Sequence, residues 1–236
     1  MQFDQLYREK RLSADDAVRL VRDGDTIVVP TGPAETPLLL AALSEQRRDF
    51  NDVKVAQILP IKKHAYFDPE TTQHVRHVAY FFGPASRPGG QEGWNDYLPA
   101  YFSELPGLIK QGLSPADVVF SVASPMDEHG YFSLGLAADY TMAAVSKPRA
   151  IIVEVNPGVP FSHGDCHVHI SQVAAIVESE QPIPEVGLPT IGPVHEAIGK
   201  YVADMIPDGA TLQIGYGGIP DAVVMQLTHK RDLGIH

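Results

Sequence analysis

Asp23-Gly24-Asp25-Thr26-Ile27-Val28-Val29 is followed by Thr31-Gly32-Pro33 and then by the helix opener Thr36-Pro37. The pattern returns from Asp208 as Asp208-Gly209-Ala210-Thr211-Leu212-Gln213-Ile214, followed by Gly215-Tyr216-Gly217-Gly218-Ile219-Pro220. Each copy reads as a turn, a short apolar strand, a Gly/Pro-rich loop and a new helix. The spacing is far longer than the ~20–50 residues of a solenoid repeat, so it points to two similar domains. A full domain's worth of chain follows the first copy and only a short stretch to His236 follows the second. The expected organisation is an amino-terminal domain over 1–181, a linker over 182–193 and the truncated start of a second domain over 194–236. Pro182, Pro184, Pro189 and Pro193, with Gly187 and Gly192, give the linker its composition.

The first copy also indicates the sheet type. The near-continuous apolar run Thr26–Val29 suits a strand buried on both faces, as in a parallel sheet. Before it, Ser13-Ala14-Asp15-Asp16 can cap a helix whose apolar side is Ala17, Val18, Leu20 and Val21. After it come a helix from Pro37 through Leu43 and strand candidates Val53–Leu59, Val75–Phe82, Val118–Val122 and Ala150–Val155. Strands alternating with helix-sized stretches predict an α/β fold. Phe82–Leu113 is less regular and reads as a loop leading into a short amphipathic helix, with Trp94, Tyr97, Tyr101 and Phe102 expected in the core. In the second copy the spacing predicts a helix over Val194–Met205 and a strand over Thr211–Ile214, with Pro220 opening the next helix.

Composition narrows the partners. The 236 residues are 44% hydrophobic and 20% charged, as in a soluble globular chain. Eighteen Lys+Arg against 29 Asp+Glu give a net charge of −11, which opposes binding to nucleic acid or to an anionic membrane surface. No run approaches the ~18 apolar residues of a membrane span, and Met1-Gln2-Phe3-Asp4 begins no signal peptide, so a cytoplasmic protein is expected. Cys166 is the only cysteine; an internal disulfide is excluded, and a buried, inert thiol is expected.

Three segments could carry chemistry. In Gly215-Tyr216-Gly217-Gly218-Ile219-Pro220 the glycines would let backbone N–H groups approach an anion or a developing oxyanion. The loop is neither a G-x-G-x-x-G dinucleotide fingerprint nor a P-loop, and a plain tight turn is the alternative. Ser124-Pro125-Met126-Asp127-Glu128-His129-Gly130-Tyr131 follows a buried strand at the edge where open α/β sheets bind ligands, against the simpler reading of a charged surface turn. His163-Gly164-Asp165-Cys166-His167-Val168-His169 puts Asp165, His167 and His169 on one strand face. Its outer pair would lie about 13 Å apart at ~3.3 Å per residue, so no metal site is expected. Lys62-Lys63-His64 and Arg87 are the few local positive features, solvated by default but able to meet a phosphate or a carboxylate.

Taken in order, Gly24–Val28, Ser124–Tyr131, Glu154-Val155-Asn156-Pro157, Asp208–Gly215, Gly217–Pro220 and Asp232-Leu233-Gly234-Ile235-His236 resemble the acetyl-CoA hydrolase/transferase family, which includes 4-hydroxybutyrate and butyryl-CoA:acetate CoA-transferases. The resemblance implies a NagB/RpiA/CoA-transferase-like α/β/α domain with a mostly parallel sheet, plus the opening βα segment of a second such domain. It implies CoA transfer between a short-chain acyl-CoA and a small carboxylate through a glutamyl-CoA thioester, with the CoA thioester as substrate and no permanently bound cofactor. It implies that Gly215, Gly217, Gly218, Ile219 and Pro220 line the thioester and hold the oxyanion, and that Thr31, Gly32, Pro33, Arg87 and Gln213 face substrate. The family's nucleophilic Glu is expected two positions past His236. Glu128 and Glu154 match positions outside that motif, so this chain alone is expected to be inactive. A homo-oligomer is compatible with the resemblance. Hydrolysis of the acyl-CoA at the same site, a non-catalytic CoA-binding remnant and, more remotely, a zinc hydrolase built on the His-rich segment stay open as alternatives.

Overall fold

The β-branched run Thr26-Ile27-Val28 has no polar interruption and belongs in a sheet interior. In the computed structural model, which describes residues 3–185 and 187–235, it forms strand β1 (Thr26–Val28) with all three residues buried. The chain divides into two compact units, Met1–Pro184 and Glu185–His236. Val186 of the expected linker and His236 of the last family segment lie outside the described residues.

In chain order the first unit comprises α1 (Asp4–Lys10), α2 (Ala14–Val18), β1, α3 (Pro37–Glu45), β2 (Val53–Ile58), β3 (Val75–Phe81), α4 (Arg87–Glu92) and β4 (Asp96–Tyr97). It continues through α5 (Leu105–Lys110), β5 (Val118–Ala123), β6 (Tyr131–Ser133), α6 (Thr141–Ala144), β7 (Ala150–Val155), β8 (His167–His169) and β9 (Ala175–Glu178). Seven strands make one sheet in the order β4-β3-β2-β1-β5-β7-β9, and every neighbouring pair is parallel. Side chains alternate across it. Ile27, Val55, Phe120 and Ile152 pack under α2 and α3, whereas Val28, Ala56, Val119 and Val153 pack on the opposite face with Leu105, Phe132, Tyr140 and Ala143. The result is an α/β/α layering. The antiparallel pair β6–β8 lies outside the main sheet.

Local chemistry accounts for several boundaries. Ser13 is extended, and its Oγ accepts a hydrogen bond from the Asp16 N–H at 3.1 Å, which starts α2. Pro37 opens α3, where its missing N–H has no consequence. The Phe82–Leu113 segment departs from expectation: it contains α4, the two-residue edge strand β4 and α5. Tyr97, Tyr101 and Phe102 are more than half exposed rather than core, because β4 has a neighbour on one side only and the chain beyond it runs over the surface.

The second unit comprises α7 (Pro193–Met205), β10 (Thr211–Leu212), α8 (Gly218–Met225) and β11 (Gly234–Ile235). Strands β10 and β11 pair in parallel. Helix α8 begins two residues before Pro220, so Pro220 occupies its first turn and Gly217 is the N-cap. Gly199 lets α7 approach α8: a Cβ there would lie 2.7 Å from the Ala222 carbonyl oxygen.

Candidate functional site

Strand order locates the crevice of the first unit. From β1 the chain adds β2, β3 and β4 to one side, then returns to place β5, β7 and β9 on the other. Open α/β sheets bind ligands outside the carboxyl ends of the strands at such a reversal. Here that point lies between β1 and β5, where Thr31, Gly32 and Pro33 follow β1.

The loop after β1 is held by polar side chains from three directions. Thr31 donates from Oγ1 to Asp139 Oδ2 at 2.6 Å and from its N–H to the same oxygen at 3.3 Å. Asp139 Oδ1 in turn accepts from the Thr141 N–H and Oγ1. Tyr140, fully buried, donates its hydroxyl to the Val29 carbonyl at 2.5 Å and accepts from the Ile58 N–H at 3.2 Å. Burial pushes its phenol well above the usual range, so it remains a neutral donor that clips the ends of β1 and β2 together.

Gly32 adopts a left-handed φ of 48° and starts a 3-10 turn over Gly32–Ala34. That turn delivers Glu35 to a fully buried position. Glu35 Oε2 accepts from Gln57 Nε2 and the Ile61 N–H, both at 3.3 Å, and lies 4.0 Å from His64 Nε2. The loops after β1 and β2 are thereby tied together. Glu154, also fully buried, stands on β7 on the face that packs under α3. Its Oε2 accepts from the Leu38 and Leu39 N–H groups at 3.0 and 3.2 Å, the first turn of α3. Burial pushes this carboxyl up to about 7, against the opposing pull of the Leu39 N–H, the Ser179 hydroxyl, the Leu38 N–H and Lys62.

Beside Thr31 an apolar recess of about 330 Å³ opens between Ile58, Leu59, Tyr80, Phe81 and Phe102. Leu59 takes a left-handed φ of 48° just beyond the end of β2, after the β2–β3 register shifts between Gln57 and Ile58. Strain at a non-glycine residue of this kind concentrates at functional sites. Arg87 stands exposed on the first turn of α4, after β3.

The remaining candidates of the sequence belong to the second unit. Gln213 and Ile214 are exposed beyond β10, and Gly215-Tyr216-Gly217 leads directly into α8. Gly217 has φ 132°, a conformation that L residues rarely adopt, and open space where a Cβ would point. Gly218 differs. Its φ is ordinary, and a Cβ there would lie 3.2 Å from the His195 ring, so packing within the unit accounts for that glycine. Ile219 is exposed, and Pro220 packs near Gly215.

Two other segments take structural roles. Asp127 Oδ1 accepts from the His129 and Tyr131 N–H groups, forming a turn closed by Gly130 at φ 84°, and Glu128 and His129 project into solvent. His167 packs against Phe161, and His169 against Phe3 and Tyr131. No group of three His, Cys, Asp or Glu among the described residues could hold a metal ion. Cys166 is buried.

The anchoring roles of Glu35, Asp139, Tyr140 and Glu154 were not apparent from sequence. A signal existed for Glu154, the lone acid in the apolar strand Ala150-Ile151-Ile152-Val153-Glu154-Val155. None existed for Tyr140, which a core aromatic would resemble.

Comparison with known proteins follows the same geometry. The chain is 40% identical over 237 residues to a succinyl-CoA:cyclohexane-1-carboxylate CoA transferase of Geobacter metallireducens, covering 99% of this chain and 53% of that protein. It is 36% identical to a 4-hydroxybutyrate coenzyme A transferase of Clostridium kluyveri, covering 100% of this chain and 55% of that protein. The crystal structure of RipA from Yersinia pestis matches with a TM-score of 0.92 at 33% identity, over 100% of this chain and 57% of that one. The chain thus spans about half the length of the curated relatives it matches. Residues 1–186 match the acetyl-CoA hydrolase/transferase N-terminal domain, and the chain belongs to the acetyl-CoA hydrolase/transferase family.

Proposed function

We propose that this chain forms part of an enzyme that transfers CoA between a short-chain acyl-CoA and a carboxylate acceptor through a glutamyl-CoA thioester. The observation that carries the proposal is the family domain over residues 1–186 in a chain 40% identical to a named CoA transferase. The apolar recess beside Thr31 supports it, since its volume suits the hydrocarbon part of a small acyl group. The CoA thioester is a substrate in this scheme, not a resident cofactor. The nucleophile is the glutamate expected two positions after His236, and the backbone N–H groups around Gly217 stabilise the oxyanion that forms when it attacks the thioester. Thr31, Gly32, Pro33, Arg87 and Gln213 are proposed to face substrate. A cytoplasmic location belongs to the same proposal, as does the absence of nucleic-acid partners, which the net charge of −11 supports. Among the described residues no helix is long and apolar enough to cross a membrane.

The test is an assay of the full-length enzyme with butyryl-CoA and excess acetate. Acetyl-CoA formation in a ping-pong pattern is the expected result. Release of free CoA alone would replace transfer by hydrolysis, and no turnover with any short acyl-CoA would remove the proposal.

A further inference from the structure

We propose that Glu154 is a positioning residue that holds the loop at the sheet's reversal point by clasping the first turn of α3. The loop from Thr31 to Thr36 connects β1 to α3 and has no regular strand partner, so its far end is only as well placed as the helix that receives it. Helix first-turn N–H groups lack intrahelical acceptors. In α3 two of them, from Leu38 and Leu39, converge on one oxygen of a carboxyl that belongs to β7, two strands away from β1 across the sheet. Thr36 provides no side-chain cap. The partner that replaces that cap is therefore a fully buried acid on the rigid sheet, and it fixes the helix start to the half of the sheet on the other side of the reversal.

The groups facing Glu154 are the N-terminal turn of α3, the Ser179 hydroxyl after β9 and the Lys62 ammonium after β2. The two N–H bonds, the hydroxyl and the cation all favour the ionised carboxyl, and burial opposes it. With the balance at about 7, Glu154 changes charge in the physiological range, and the amides it holds report that change. The consequence for catalysis rests on the CoA-transfer proposal, whereas the clasp itself does not.

The experiment is an NMR titration of the Leu38 and Leu39 amide resonances in the 236-residue chain from about pH 5 to about pH 9, with protection factors measured alongside. Both amides are expected to titrate together with a midpoint near 7. Glu154→Gln should abolish that titration while keeping both amides protected, because the amide oxygen still accepts. Glu154→Ala should lower protection at Leu38, Leu39 and Leu40 by about tenfold or more, the scale of a lost buried hydrogen bond. Lys62→Gln should raise the midpoint. A titration that survives in Glu154→Gln, or its absence from the unaltered chain, would overturn the proposal, as would unchanged protection in a folded Glu154→Ala. If Glu154→Ala does not fold, Glu154→Gln decides alone. None of these readouts uses acyl-CoA, so failure of the clasp and failure of the transfer reaction are told apart.

Discussion

The openings of the two units share one local design and end differently. In the first, Gly24 has φ 81°, its N–H donates to Asn51 O, and Asp23 accepts from the Asn51 N–H. In the second, Gly209 has φ 77°, its N–H donates to Arg231 O, and Asp208 accepts from the Arg231 N–H. The residues that follow those partners, Asp52 and Asp232, both sit at φ 54°. Thr26 pairs with Lys54 in β2, and Thr211 pairs with Gly234 in β11, both in parallel. The helices that follow are treated in opposite ways. The first turn of α3 is closed by Glu154, whereas α8 starts at Gly217 with no side-chain cap. One helix start is spent on fixing a loop within the protein; the other has no side-chain cap, and in the proposed reaction it keeps its backbone donors for a ligand.

The sharpest way to break this contrast is Gly217→Ala in the full-length enzyme. A side chain at φ 132° is strained and would displace the backbone donors, so activity should fall at least about 10²-fold, the scale of one lost oxyanion donor. Gly192→Ala, at an ordinary φ before α7, should be nearly silent. Equal, modest losses in steady-state kinetics would mean that the Gly217 loop is only a turn.

The opposite arm of the contrast predicts a pH dependence. Glu154 titrates near 7 in the folded chain against an ordinary value of 4.5, so the native state holds the proton more tightly than the unfolded one. Its contribution to stability is fully present below the ordinary value and is lost as pH rises through about 7, a decline of roughly 3 kcal/mol. Urea melts of the chain and of Glu154→Gln should differ in slope over that window. Parallel profiles would remove Glu154 from the account.

A third change tests what packs the second opening. Gly199→Ala drives a Cβ against the Ala222 carbonyl and should destabilise the second unit by about 1–3 kcal/mol, seen as faster amide exchange in α7 and α8 than in the main sheet. The smallest effects test the shared turn. Gly24→Ala and Gly209→Ala meet no atoms but require a left-handed alanine, so each should lower the local stability of its turn by roughly 1–2 kcal/mol. Clearly unequal local effects in exchange measurements would show that the two turns are alike in shape only.

Much of the fold was legible because its signals are local. The Asp-Gly turns, the Ser13 cap, the β-branched strands and Pro37 act within a few residues, and the elements form where those residues stand. Weak signals misled where an element depends on its surroundings: Tyr97, Tyr101 and Phe102 resemble core residues until β4 proves to be an edge. Gly217 and Gly218 are indistinguishable in the sequence, yet one answers to φ and the other to the His195 ring.

The sequence by itself determined the α/β class, the repeated opening and the family, since these rest on short-range patterns and their order along the chain. Only the tertiary structure decided which strands flank the reversal point, and that Asp139, Tyr140 and Glu154 converge on the loop after β1 from positions more than 100 residues away in the chain. The reason is physical. A buried polar group must find its partner wherever the packed sheet presents one, and no local rule of spacing says where that will be.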